Sequence, residues 1–152
     1  MQYYSYEEFC EDVNVIAKEV KSSFALDAIV SIARGGMTFS HFLSQALDVR
    51  ELYSINSIHY EKTRKLTTIN VFNVPDLSDV VNVLVVDDII DSGETMIEIK
   101  RVLLEKYPHI KIKVAAIFFK EKALLRPDFT AREALEWIEF FWDVEIDKMN
   151  KK

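Results

Sequence analysis

Glycine is scarce in this chain, with three residues among 152. They stand as the pair Gly35-Gly36 and singly at Gly93, so no G-x-G-x-x-G dinucleotide fingerprint can be assembled, and the Gly-Lys-Ser/Thr ending of a triphosphate loop is missing too. One cysteine, Cys10, excludes an internal disulfide and a cysteine metal cluster. No stretch approaches the roughly 20 apolar residues that span a bilayer. The opening Met1-Gln2-Tyr3-Tyr4-Ser5-Tyr6-Glu7-Glu8 has no basic start followed by an apolar core, so a reducing, cytoplasmic location without stable membrane association is expected. Cations are also the minority: 19 Lys and Arg against 25 Asp and Glu give a formal net charge of -6, which disfavours nucleic-acid binding as the main task. An acidic protein that handles small polyanions must concentrate its cations locally or borrow a metal.

What is present is enough for one compact α/β domain spanning residues 1–152, since 49% of the residues are apolar. Its centre is Val83-Leu84-Val85-Val86-Asp87-Asp88-Ile89-Ile90-Asp91-Ser92-Gly93-Glu94-Thr95. Val83 to Val86 do not alternate, as expected for a parallel strand covered on both faces. Ligands of open α/β sheets sit beyond the carboxyl ends of such strands, which places Asp87 and Asp88 at the mouth of a site. Asp91 to Thr95 can turn backbone N–H groups and two hydroxyls toward one point, with a helix starting near Glu94 adding its positive end. A monophosphate fits that turn. The adjacent carboxylates suit a pair of hydroxyls or a hydrated Mg²⁺, which prefers oxygen ligands and substrate phosphates to an all-protein cage.

The rest of the chain supplies neighbours. Glu7 to Lys21 has helical spacing through Phe9, Val13, Ile16, Ala17 and Val20. Ala28-Ile29-Val30 leads to Arg34-Gly35-Gly36, a second strand-to-helix junction where glycines permit close approach and Arg34 offers a cation beside exposed amides. A helix over Met37 to Leu47 is expected to turn Met37, Phe39, Leu43, Ala46 and Leu47 inward. Arg50 to Ile58 alternates as a strand, followed by a cation-rich polar flap over about 59–68 and a second strand over Ile69 to Val74. Pro75-Asp76-Leu77-Ser78-Asp79 is a turn. Behind the central junction, Glu94 to Lys106 is a helix whose expected apolar face is Met96, Ile97, Ile99, Val102, Leu103 and Leu104. Ile110 to Lys120 is a buried strand delivering Lys120 at its end. Ala123 to Ala134 is a linker or short helical excursion around Pro127, and Leu135 to Asp143 is dense in aromatics, which for any one of them means core roofing or an interface.

Val85 to Thr95 resembles the signature of the type I phosphoribosyltransferases, and the surrounding chain is similar to their xanthine-guanine, purine-salvage branch. The resemblance implies a predominantly parallel sheet flanked by helices, with a small C-terminal hood over about 120–145. It implies transfer of a phosphoribosyl group from phosphoribosyl pyrophosphate (PRPP) to N9 of a 6-oxopurine, with guanine or xanthine favoured and hypoxanthine possible. Asp87 and Asp88 then meet the ribose hydroxyls, Asp88 also facing Mg²⁺, while Asp91, Ser92, Gly93, Glu94 and Thr95 hold the 5'-phosphate. Asp91 lies near N7 of the purine as the acid-base residue. Arg34 and Gly35 belong to the pyrophosphate loop. The flap resembles the family's flexible loop, with Ser57 and Tyr60 near its base and Lys62, Arg64 and Lys65 as candidates for pyrophosphate. Lys120 reads O6, Trp137 stacks on the base, the Ile138 carbonyl meets an exocyclic group, and Asp143 orients the base and its metal surroundings. Phe140-Phe141 departs from family patterns with proline before the second Trp. A homodimer or homotetramer is implied.

Two other readings of the same residues differ in kind. A phosphoribosyltransferase-like regulator would keep the PRPP turn, carry a basic face and turn over no purine; the acidic total and the base-reading set count against it. A receiver-type signalling domain places its acidic pair after the first strand and a separate phospho-accepting Asp later, whereas here the pair is central and followed at once by Asp91-Ser92-Gly93.

Overall fold

The computed structural model describes residues 1–63, 66–144 and 146, with backbone alone at 61–63, 66 and 67. In chain order the elements are β1 (Gln2–Tyr4), α1 (Tyr6–Ser23), β2 (Ala28–Ala33), α2 (Met37–Leu47), β3 (Leu52–Thr63), β4 (Leu66–Phe72), β5 (Asn82–Ile90), α3 (Glu94–Lys106), β6 (Lys111–Phe119), β7 (Arg132–Glu133) and β8 (Ile138–Phe140). Six strands form one sheet in the order β4-β3-β2-β5-β6-β7, and β1 pairs with β8 in a second. Among the described residues the β3–β4 hairpin alone is antiparallel; the other pairings are parallel. This is the predominantly parallel, helix-flanked sheet that the apolar runs imply, with the small β1–β8 sheet as its hood.

The central strands are buried on both faces and their side chains divide by parity. Ile29, Leu84, Val86, Ala115 and Ile117 meet α1 and α2 through Phe9, Ile16, Phe39 and Leu43. Val30, Val83, Val85, Val114 and Ala116 meet α3 through Met96, Ile99 and Leu103. Fully burying side chains of this size contributes about 1.5–3 kcal/mol each, so the two apolar layers clamp the sheet and fix which strand ends lie side by side.

Several boundaries differ from expectation. β5 does not stop at Val86: it runs on to Ile90, because β6 continues to pair with it at Asp87↔Ala116, Ile89↔Phe118 and Ile90↔Phe119. The acidic pair therefore sits within the strand. The hairpin strands likewise reach further, to Thr63 and back from Leu66, through the segment read as polar flap. On α2, Ser40 and Ser44 are buried while Met37 and Ala46 are exposed; the helix turns its small polar pair inward with Phe39 and Leu43. On α3 the buried stripe is Met96, Ile99 and Leu103, and Ile97 and Leu104 face outward, so the apolar face is narrower than its sequence implies. Residues 123–134 form no helix; Phe129 bridges to Ala115, and the segment ends in β7.

β1 and β8, short and unforeseen as strands, tie the beginning of the chain to its aromatic end. Gln2 N–H donates to the Trp137 carbonyl at 2.8 Å and Phe141 N–H to the Tyr4 carbonyl at 3.0 Å. Beneath them Tyr4 Oη donates to buried Asp12 at 2.5 Å, and Arg132 Nε reaches the same carboxylate at 2.7 Å. The Arg132 guanidinium also lies over the Tyr4 ring, 5.5 Å from its centroid. Burial and the hydrogen bond to Asp12 push the Tyr4 hydroxyl well above its ordinary range. Trp142 stacks on Phe140 at 4.5 Å and serves the core.

Candidate functional site

Two strand-to-helix junctions, β2–α2 and β5–α3, open side by side because β2 and β5 are adjacent in the sheet. Their glycines explain how closely they meet. A Cβ at Gly36 would lie 2.5 Å from the Val86 carbonyl oxygen, so α2 can start against β5 only with hydrogen there. A Cβ at Gly35 would stand 3.0 Å from both carboxylate oxygens of Asp88, which puts the first junction directly over the acidic pair. The Ala33–Arg34 peptide is cis and Arg34 is exposed. Gly36 N–H donates to the Ile32 carbonyl at 2.9 Å, whereas the Arg34 and Gly35 amides donate to no backbone carbonyl among the described residues.

At the second junction Gly93 takes φ of +89°, a left-handed turn that a side chain resists. The turn is braced from behind, since Leu124 N–H donates to the Ser92 carbonyl at 2.8 Å. Helix α3 begins with Gly93 as N-cap and no side-chain cap; Glu94 N–H has only a long 3.3 Å contact to Ser92 Oγ. A small cavity of about 80 Å³ lies here, lined among others by Asp87, Asp91, Ser92, Gly93 and Thr95. Uncapped amides at a helix start, with hydroxyls beside them, can receive an anion.

Asp87 and Asp88 are half-buried and fold back on their own strand: Asp87 Oδ1 accepts from Asp88 N–H at 2.9 Å, and Asp88 Oδ1 from Ile89 N–H at 2.7 Å. Burial, then the charge of Asp88, raises Asp87 well above the usual carboxylate range; burial raises Asp88 as well, with Asp143 adding to it. Such a pair gains from donors or a cation brought between its oxygens. No cluster of three or more His, Cys, Asp or Glu able to hold a metal occurs among the described residues. The donor set suits a cation that fills most of its shell with substrate oxygens.

The larger cavity, about 310 Å³, lies between the acidic pair and the hood, lined by Asp88, Ile89, Asp91, Lys120, Glu136, Trp137, Ile138, Phe140 and Asp143. Lys120, just past the end of β6, is held there by its N–H donating to the Ile90 carbonyl at 2.9 Å. Its ammonium meets Asp91 at 2.7 Å across the cavity wall. Trp137 is 77% exposed, an open aromatic face next to β8, while the Ile138 side chain is buried. Asp143 closes a turn, its carboxylate accepting from Phe140 N–H at 3.1 Å and its own N–H donating to the Phe140 carbonyl at 2.8 Å.

The two cavities share Ile89 and Asp91 in their walls and between them gather Asp87, Asp88, Asp91, Ser92, Gly93, Thr95, Lys120, Trp137, Ile138 and Asp143; Gly35 abuts the Asp88 carboxylate, while Arg34 and Glu94 line neither cavity. Of the flap cations, Lys62 falls within β3; its side chain, and the whole of Arg64 and Lys65, lie outside the described residues. Glu136, Ile89 and Phe140 also line the larger cavity without any sequence signal. His59 Nε2 meets Thr95 Oγ1 at 2.9 Å, joining the hairpin to the second junction.

The chain is similar to known proteins over nearly its whole length. A family profile described as phosphoribosyl transferase domain covers residues 2–148. Among solved structures, Helicobacter pylori xanthine-guanine-hypoxanthine phosphoribosyltransferase is 40% identical, with 94% of each chain covered and a TM-score of 0.87. Purine phosphoribosyltransferase from Pyrococcus horikoshii is 25% identical over 99% of this chain and 98% of its own, with a TM-score of 0.81. A curated relative, xanthine-guanine phosphoribosyltransferase of Idiomarina loihiensis, is 27% identical over 147 residues, 95% of this chain and 88% of the relative.

Proposed function

The chain belongs to the phosphoribosyltransferase family of enzymes, and from that premise we propose that it joins N9 of a 6-oxopurine to C1' of PRPP, releasing pyrophosphate and giving a purine nucleoside 5'-monophosphate. The observation that carries this reading is the Lys120–Asp91 pair at 2.7 Å in the wall of a cavity that the exposed Trp137 also lines. N7 and O6 lie on one edge of a 6-oxopurine. A lysine that donates to O6 beside a carboxylate that accepts the N7 proton reads that edge, and Trp137 supplies the stacking face.

In this reading the remaining residues divide the substrate between them. The uncapped amides and hydroxyls of Ser92 to Thr95 hold the 5'-phosphate at the start of α3, with Glu94 contributing its backbone. Asp87 and Asp88 accept from the ribose hydroxyls, which satisfies carboxylates that burial leaves short of donors. Arg34 and the free amides of Arg34 and Gly35 receive the pyrophosphate, assisted by Lys62 and Arg64. Asp88, next to Gly35, would hold Mg²⁺, which supplies charge neutralisation on the departing pyrophosphate. As the C1'–O bond breaks and the N9–C1' bond forms, Asp91 takes or relays the proton the purine must lose. Asp143 fixes the hood turn over the base. The protein aligns two substrates and excludes water; little covalent chemistry is asked of it.

The test is pyrophosphate release from PRPP and Mg²⁺ with adenine, hypoxanthine, guanine and xanthine in turn. Guanine or xanthine should react fastest, hypoxanthine within reach of them, and adenine, which offers an amino group where Lys120 needs an acceptor, least. Failure with every base would overturn the reading. Asp91→Asn should lower kcat roughly a hundredfold or more while PRPP affinity is largely kept; near-wild-type turnover where chemistry limits the rate would remove Asp91 from its role.

A further inference from the structure

His59 lies on β3, opposite Ile69 in the hairpin, 36 residues from the helix turn it touches. Its Nε2 stands 2.9 Å from Thr95 Oγ1, and Thr95 lines the small anion cavity with Ser92 and Gly93. Thr95 has one hydroxyl proton to give. A phosphate monoester has only acceptors, so Thr95 can donate to it only if His59 is not the acceptor of that proton. The arrangement that satisfies all three groups is a chain: His59 Nε2–H donates to Thr95 Oγ1, and Thr95 Oγ1–H donates to the phosphate. The other tautomer of His59 would claim the same proton and compete with the ligand.

We infer that His59 is a positioning residue for the phosphate turn: as the Nε2–H tautomer it orients the Thr95 hydroxyl toward the 5'-phosphate and thereby ties the β3–β4 hairpin to phosphate occupancy. The inference rests on the phosphate assignment made above for Ser92 to Thr95. It gives the hairpin a physical link to bound substrate that is independent of the flap cations. Phosphate entry fixes the Thr95 proton, the Thr95 oxygen then only accepts from the imidazole, and the hairpin is held down at its base. Hydrogen bonds that form part of such a chain polarise one another, so the link strengthens when the phosphate is present.

The experiment compares wild-type protein with His59→Ala, His59→Gln, Thr95→Val and the His59→Ala/Thr95→Val double variant, after thermal melts have confirmed folding. His59→Ala should raise KM for PRPP up to about tenfold, the upper end for one neutral hydrogen bond, with kcat and the KM for the purine within about twofold. His59→Gln, whose side-chain N–H₂ reaches the same place, should recover most of the loss. In the Thr95→Val background, His59→Ala should add nothing further. In ¹⁵N NMR of the histidine rings, ribose 5-phosphate should drive His59 to the Nε2–H form. Unchanged KM in His59→Ala, multiplying effects of the two substitutions, or an unprotonated Nε2 in the phosphate-loaded protein would each overturn the inference. Ribose 5-phosphate affinity also separates the two levels of argument: a wild-type protein that turns over no purine yet binds ribose 5-phosphate in a His59-dependent way sinks the enzymatic reading and leaves this one standing.

Discussion

The three helices among the described residues begin in two different ways. Helix α1 closes its own start with side chains: Ser5 Oγ accepts from Glu8 N–H at 3.1 Å, and Glu8 Oε2 accepts from Ser5 N–H at 2.9 Å, a complete capping box. Helices α2 and α3 begin at Gly36 and Gly93 and have no side-chain cap at all. A cap stabilises a helix by about 1 kcal/mol, so two of the three helix starts forgo that. Both of those face the carboxyl edge of the sheet beside Asp87 and Asp88, and the capped one does not. The difference separates a helix end whose amides are closed by its own side chains from two that have no side-chain cap.

That contrast can be broken from either side. The largest effect is expected on the capped helix, α1, where Asp12 receives both Tyr4 and Arg132 while Glu8 lies 3.5 Å from the same guanidinium. Asp12→Ala leaves that cation without its main partner and should cost about 3 kcal/mol in urea denaturation, with PRPP affinity unchanged in the protein that remains folded. Gly93→Ala attacks an open end. It forces a side chain into φ of +89° and against Leu125 N at 2.9 Å, so about 2 kcal/mol should be lost, here together with PRPP binding. Ser5→Ala should cost about 1 kcal/mol and leave the kinetics alone. Equal kinetic damage from Ser5→Ala and Gly93→Ala would erase the distinction.

The smallest prediction has the opposite sign. Burial raises the Asp87 carboxyl above its ordinary range. A carboxyl raised on folding contributes nothing adverse below its unfolded value of about 3.9 and weakens the fold progressively as pH rises through the folded value. Asp87→Asn should therefore melt higher than wild type at pH 7, with the advantage fading as pH falls toward about 4. Thermal melts across that window check it; a variant less stable than wild type at pH 7 would show that the carboxylate supports the unliganded fold.

The legible part of the molecule was the part that repeats simple periods. Unbroken apolar runs at Ala28–Val30, Val83–Val86 and Ala115–Phe119 marked the parallel core, and α2 and α3 run over the residues their patterns mark, Met37–Leu47 and Glu94–Lys106. The junctions were legible because the three glycines of a glycine-poor chain sit at close approaches, Gly36 and Gly93 against backbone and Gly35 against the Asp88 carboxylate. The hood was only half visible. Its aromatics stand out in the sequence, but β1 and β8 are three residues each, too short for any period, and they exist because distant strands pair. Tyr4, Asp12 and Arg132 are spread over 128 residues and carry no local signal for their contact. The extension of β5 through Asp87 and Asp88 was hidden for a similar reason: two adjacent carboxylates look like a strand's end, and only the pairing with β6 keeps them within it.

The most direct measurement is an amide NMR titration with PRPP and Mg²⁺. Large shifts are expected at Arg34, Gly35 and Ser92 to Thr95, saturating together, with the capped amides of Ser5 and Glu8 unmoved. Saturable binding that leaves the Gly35 and Ser92 to Thr95 amides in place would contradict that expectation.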